Sequence, residues 1–181
     1  MTSLRLLIQE PERPAPPKRW DRSHGTRRLD EEVSRARREP SYRFSVLLVE
    51  FEGLSDYEGR LGYAAEEDIW SRALSFVHED LTAQDLCCRL TGDEFLLILP
   101  HKNHAQACEL IERMRGRWRP APASRESGTR INIGIASYPT HGCTIEQLLC
   151  AADEALADDR LRYGIGFDAG DGWESTIGTH Q

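Results

Sequence analysis

Residues 86–100 read LCCRLTGDEFLLILP. Two short apolar runs, residues 86–90 and 94–99, flank Thr91-Gly92-Asp93, where the glycine permits a tight reversal; the pattern predicts a hairpin with Asp93 and Glu94 at its tip. Working outward, residues 44–51 (FSVLLVEF) form a mostly apolar run of strand length, as a buried central strand requires, with Glu50 near its end. Residues 130–137 (RINIGIAS) alternate at period two, with Ile131, Ile133 and Ile135 on one side. That alternation predicts a half-solvated strand at the sheet margin.

Between these strands the apolar residues change to helical spacing. Ile69, Ala73, Phe76 and Val77 mark one buried face within EEDIWSRALSFVHEDL, residues 66–81. Ala107, Ile111, Met114 and Trp118 predict a second helix over 105–118, ended by Pro120 and Pro122. Thr144 and Gln147 form a capping box ahead of the stripe Ile145, Leu148, Leu149, Ala152, Ala155 and Leu156. In front of the first strand, residues 29–38 (LDEEVSRARR) place acids early and bases late, as suits a helix dipole, and Pro40 stops the run. The order from the first strand is β-α-β-β-α-β-α. It predicts an α+β domain with helices on a largely antiparallel sheet, not a doubly wound fold.

The chain has 181 residues and 39% hydrophobic content, enough for one core plus tails. Residues 1–26, with Pro11, Pro14, Pro16 and Pro17 among charges, are expected to form a flexible arm, residues 27–166 the domain, and residues 167–181 a flexible acidic tail. Lys+Arg of 23 against Asp+Glu of 30 gives a net charge of -7, which argues against nonspecific attraction to nucleic acid or anionic lipid. No apolar run approaches the roughly 18 to 20 residues that span a bilayer, and the first residues lack a signal-peptide core, so a cytoplasmic protein is expected. Five cysteines (Cys87, Cys88, Cys108, Cys143, Cys150) without CxxC spacing fit reduced thiols, with Cys87 and Cys88 acting as small hydrophobes in a strand. His101 and His104 follow Pro100 in a polar stretch without a third ligand and read as a solvated loop; Arg35, Arg37 and Arg38 read as a solvated helix end.

Glu50 and Glu52 on the first strand, and Asp93 and Glu94 at the hairpin tip, converge if those strands are neighbours. Carboxylates from two adjacent strands can hold one or two Mg2+ ions, as nucleotidyl transfer needs, although acids at strand ends are commonly solvated. The segment RLTGDEF (residues 89–95) followed by LLILP resembles the signature of GGDEF domains, the diguanylate cyclase family. RRLDEEVSRARREP ahead of FSVLLVEFEGL resembles that family's leading helix and first strand, and Gly62, INIGIASYP and AADEAL (residues 151–156) match its later elements. The resemblance runs from about Arg27 to Tyr163.

It implies a palm-like domain that joins two GTP molecules into cyclic di-GMP across a homodimer, each subunit giving half a site. In that arrangement Glu50, Asp93 and Glu94 would hold Mg2+ or Mn2+, with Asp93 and Glu94 catalytic, and Glu58, Glu67 and Arg160 would meet the nucleotide. The departures gather around the ligand. The family's D-x-D-x-F-K reads Glu50-Phe51-Glu52-Gly53-Leu54-Ser55, so Ser55 replaces a phosphate-binding lysine. Glu58 and Glu67 stand for the guanine-reading Asn and Asp; Glu67 can accept from a guanine N–H, but Glu58 cannot supply an amide donor. Thr91 replaces the signature's first glycine and fills space where a phosphate approaches the backbone. The late A-K-x-x-G-R becomes Asp159-Arg160-Leu161-Arg162-Tyr163-Gly164, where Arg160 stands in for the lysine and the second arginine has no match in register. The upstream D-x-L-T-G-L-x-N-R element is shortened to Asp21-Arg22-Ser23-His24-Gly25-Thr26-Arg27. In the product-inhibition motif R-x-x-D, Asp85 remains and Thr82 replaces the arginine.

Two cations and an amide donor are thus missing from a site for a tetra-anion, and each charge-assisted contact is worth about 1.5 to 3 kcal/mol. The sequence reading is a degenerate, non-catalytic GGDEF protein of bacterial cyclic di-GMP-related signalling, acting through an unknown protein partner or weak binding of GTP or cyclic di-GMP. The alternative is an active diguanylate cyclase using two metals across a homodimer. Nucleic-acid binding through a palm-like fold conflicts with the net charge and lacks an aromatic-basic platform.

Overall fold

The computed structural model describes residues 22–52, 63–91, 93–118 and 130–164. Residues 1–21, Glu58 and the acidic tail lie outside them, as do the side chains of Glu67 and Thr91. Strands β1 (Phe44–Glu52), β2 (Leu86–Thr91), β3 (Glu94–Pro100) and β4 (Arg130–Tyr138) pair antiparallel in the order β2-β3-β1-β4. The apolar run 44–51 therefore occupies the interior position its composition predicts, with β3 on one side and β4 on the other.

Alternation along β1 splits the interior in two. Leu47, Val49 and Phe51 point with Phe95, Leu97 and Leu99 toward α2 (Tyr63–His78) and α3 (His104–Arg117). Val46 and Leu48 point with Leu96 and Ile98 toward α1 (Arg22–Arg38) and α4 (Ile145–Gly164). Ala73, Phe76 and Val77 of α2 are buried as their spacing predicts, and Ala107, Leu110, Ile111 and Met114 form the buried face of α3. Burial of each such large apolar side chain stabilises the fold by roughly 1.5 to 3 kcal/mol. Trp118 follows α3 and packs its ring 4.9 Å from both Phe51 and Phe76.

Two expectations change. The leading helix starts at Arg22, not near residue 29, so α1 takes in residues 22–28 as well. Tertiary packing holds this extra turn: a methyl group on Gly25 would lie 3.1 Å from Cys88 Sγ, and Leu29 one turn on is fully buried. Second, β4 is an outer strand among the described residues but is not half-solvated. Ile131 and Ile133 enter the first core, while Asn132, Gly134 and Ala136 are buried beneath α4. The small residues mark close approach of a helix, not exposure to water.

Residues 101–103 form the expected loop, with His101 and His104 exposed, and it is tied down where it enters α3. Asn103 caps α3, its Oδ1 accepting from Gln106 N at 3.0 Å while Gln106 Oε1 accepts from Asn103 N at 2.9 Å. His104 Nδ1 lies 3.2 Å from Ser137 Oγ, which lies 2.8 Å from Ser45 Oγ, and the ring of His101 meets Tyr42 edge-on at 4.9 Å. At the start of α4 half of the expected capping box is present: Thr144 Oγ1 accepts from Gln147 N at 3.2 Å, while Gln147 Oε1 accepts from Cys143 N at 2.8 Å and not from Thr144 N. All five cysteines are outside disulfides, with Cys87 and Cys88 buried. Among the described residues, no helix is long and apolar enough to cross a membrane.

Candidate functional site

The strand register gathers the acids. Glu50 on β1 pairs with Glu94 on β3 and Asn132 on β4, two residues beyond the pairs Leu48 with Leu96 and Leu48 with Gly134. By the period of two, Glu50, Glu94 and Asn132 therefore continue the sheet face that α4 covers. The hairpin turn adds Asp93, whose carbonyl accepts from Phe51 N at 3.1 Å. Glu50, Asp93 and Glu94 thus meet at one end of the sheet, as the sequence could state only conditionally.

Glu50 is held by three donors. Arg160 grips it in a two-pronged contact, Nε to Oε2 and Nη2 to Oε1, each at 2.7 Å. Asn132 Nδ2 donates to Glu50 Oε2 at 3.0 Å and to Glu52 Oε2 at 3.1 Å. Such bidentate, charge-assisted pairs are among the stronger hydrogen bonds in proteins. Burial by itself raises the Glu50 pKa, but the bonds from Arg160 and Asn132 and the attraction of the guanidinium outweigh it and hold the carboxyl below its usual range. For Glu94 the balance is reversed. Burial raises its pKa; Arg160 opposes the rise, while Glu50, Asp153 and Asp93 add to it. The bond to Glu50 is the largest of the influences that raise the Arg160 pKa.

Asp159 explains why Arg160 stands there. Its side chain is largely buried and receives Arg115 Nη2 at 2.7 Å on both oxygens and Ile133 N at 2.8 Å on Oδ2. One carboxylate so ties α4 to α3 and to β4. The next residue along the helix then reaches the end of β1.

A divalent ion is what the family resemblance implies here, and the oxygen donors are of the right type. Their present arrangement does not fit one. Both Glu50 oxygens are engaged by N–H donors, and among the described residues no group of three or more His, Cys, Asp or Glu is placed to hold a metal. Arg160, expected to meet the nucleotide, is committed to the expected first metal ligand.

The remaining candidates are placed elsewhere. Glu67 lies in α2, with its side chain outside the described residues, as is Glu58 altogether. Asp85 precedes β2, at the end of the hairpin remote from Asp93. Its fully buried carboxylate receives Lys102 Nζ at 2.5 and 2.7 Å and both the N–H and the hydroxyl of Thr82 at 2.7 Å. Thr82, in the arginine's place, therefore closes a turn on Asp85.

Sequence reasoning missed Asn132 and Asp159. Asn132 had a signal: it is the one amide on a strand face whose next two positions are the small residues Gly134 and Ala136. Among the described residues its buried Oδ1 has no hydrogen-bond partner. Asp159 had no local signal, because its partners lie 26 and 44 residues away in sequence.

Comparison with known proteins agrees with the signature. The family described as "Diguanylate cyclase, GGDEF domain" matches residues 20–162. MucR of Pseudomonas aeruginosa, a bifunctional diguanylate cyclase/cyclic di-GMP phosphodiesterase, is 32% identical over 144 residues, which cover 77% of this chain and 21% of MucR. Diguanylate cyclase TpbB of the same species is 32% identical over 132 residues, 68% of this chain and 30% of TpbB. The chain thus spans less than a third of the length of these two relatives. The crystal structure of the GGDEF domain of YfiN (TpbB) matches with a TM-score of 0.70 at 28% identity, over 80% of this chain and 92% of that domain. With the family matched over most of its length and a structural likeness of the same extent, this chain belongs to the GGDEF domain family of diguanylate cyclases.

Proposed function

We propose that this GGDEF domain acts in bacterial, cyclic di-GMP-related signalling without catalysing cyclisation, through contact with a cytoplasmic signalling protein or weak binding of a guanine nucleotide. The observation that carries the reading is the Arg160–Glu50 pair. The cation expected at the phosphates and the carboxylate expected at the metal satisfy each other. Ser55 and Glu58 add to this, since a tetra-anionic nucleotide meets one lysine fewer and one carboxylate more. Missing electrostatic stabilisation of this kind costs orders of magnitude in rate.

A second reading has one observation in its favour. Glu50, Asp93 and Glu94 still gather at one end of the sheet, as an active cyclase with Mg2+ or Mn2+ and a homodimeric site requires. Calorimetric titration of GTP, with Mg2+ and then Mn2+, followed by chromatography of products at high protein concentration, separates the two. The proposal expects no cyclic di-GMP and binding weaker than about 1 mM, equivalent to roughly -4 kcal/mol. Product that forms from GTP and vanishes in Asp93→Ala and Glu94→Ala would establish the cyclase instead.

A further inference from the structure

We infer that Arg160 is a built-in counter-cation: its guanidinium occupies Glu50 in place of a divalent ion, and a metal gains this carboxylate only when Arg160 is drawn away. The inference takes from the proposed function the identity of the acids at this sheet end, and it is independent of whether cyclisation occurs.

Four observations support it. The fork covers both oxygens of Glu50 at 2.7 Å, leaving neither free of a charged donor. Glu94 is the register partner of Glu50, and the guanidinium opposes, without cancelling, the rise that burial and the neighbouring acids impose on its pKa. Asn132 supports the arrangement from β4, donating to Glu50 Oε2 beside Arg160 Nε. Finally, Arg160 rises from a turn of α4 fixed by Asp159, so its position is built into the packing of the helix and not chosen from a free surface. The geometry also provides a release. Arg160 is 43% exposed while Glu50 is 16% exposed, so the arginine can leave toward solvent and the carboxylate cannot follow it.

The test uses Mn2+ alone, without nucleotide, and reads free Mn2+ by electron paramagnetic resonance. Arg160→Gln is expected to bind Mn2+ about tenfold tighter than the unmodified chain, since removing a unit charge beside the acids lifts a direct repulsion. The gain should disappear in Arg160→Gln combined with Glu50→Gln. Equal affinity in the unmodified chain and Arg160→Gln would overturn the inference, and so would a gain that survives loss of the Glu50 carboxylate. Should Arg160→Gln lose its cooperative melt, Arg160→Lys is measured in its place. A lysine cannot cover both oxygens, so a smaller gain is expected, and none would again overturn the inference. Cyclic di-GMP formed from GTP by the unmodified chain would end the non-catalytic reading and leave the Mn2+ comparison to decide the role of Arg160.

Discussion

Gly134 of β4 lies against the backbone of Ala152 in α4: a methyl group on its Cα would stand 2.0 Å from the Ala152 carbonyl oxygen and 2.6 Å from Leu156 N. Neither atom belongs to a flexible side chain, so helix and strand would have to separate. Gly134→Ala is expected to destabilise the domain by about 1 to 3 kcal/mol, the usual cost of overpacking, or somewhat more. Urea denaturation measures it, and a midpoint equal to that of the unmodified chain would contradict this packing. Because α4 carries Arg160, the same variant should also loosen the grip on Glu50.

Asp159 is the anchor of that helix. Asp159→Ala removes the acceptor of Ile133 N and both contacts to Arg115, and a cost near 3 kcal/mol is expected, the lower end for breaking a buried ion pair because Arg115 is 20% exposed. Asp159→Asn keeps an oxygen for Ile133 and should cost clearly less. Denaturant midpoints of the two variants side by side test the ranking; equal losses would place the stabilisation outside the hydrogen bond to β4.

Glu50 and Glu94 should give opposite pH dependences. The folded pKa of Glu50 is depressed, so its contribution is present above the unfolded value of about 4.3 and is lost as pH falls through the folded pKa. The folded pKa of Glu94 is raised, so the fold bears a penalty above that pKa, relieved as pH falls through it. Glu94→Gln should therefore stabilise the domain at pH 7 and lose its advantage near pH 4. Glu50→Gln should destabilise at pH 7 and do so less near pH 3. Urea midpoints across this range show whether the two slopes differ in sign.

The thiols divide by burial. The Cys87 thiol is pushed up to about 12 by burial, with the neighbouring Cys88 adding to the rise, while Cys143 and Cys150 are exposed. Iodoacetamide at pH 8 should label Cys143 and Cys150 in the native protein, and Cys87 and Cys88 only on unfolding. Mass spectrometry of timed digests reads the order. Labelling of Cys87 at the rate of Cys143 would mean that the hairpin opens under native conditions.

How much could be read beforehand follows from the range of each signal. The hairpin, the central strand and the helices α2 to α4 rest on periodicity and turn residues within a few positions, and they stand where the sequence puts them. The acids could be joined only conditionally, because Glu50 and Glu94 meet through strand pairing that local spacing does not encode. Arg160 and Glu50 are 110 residues apart, and their contact depends on Asp159 fixing α4, so no motif could reveal it. On β4 the pattern itself was ambiguous, since glycine and alanine suit either a solvent-facing strand or one pressed by a helix. The cap at Asn103 was legible in Asn103 and Gln106, three residues apart, and was hidden only because the stretch around it is polar.

The bond from Ile133 N to Asp159 has a bearing on assembly. Among the described residues that amide faces away from β1, on the outer edge of β4, and outward donors of this kind invite a strand from another chain to dock. Here the donor is already satisfied, and a carboxylate stands where the incoming backbone would lie. The side chain that fixes α4 thus also guards the sheet against growth by strand addition. At that point of β4 an incoming strand would find its donor already taken.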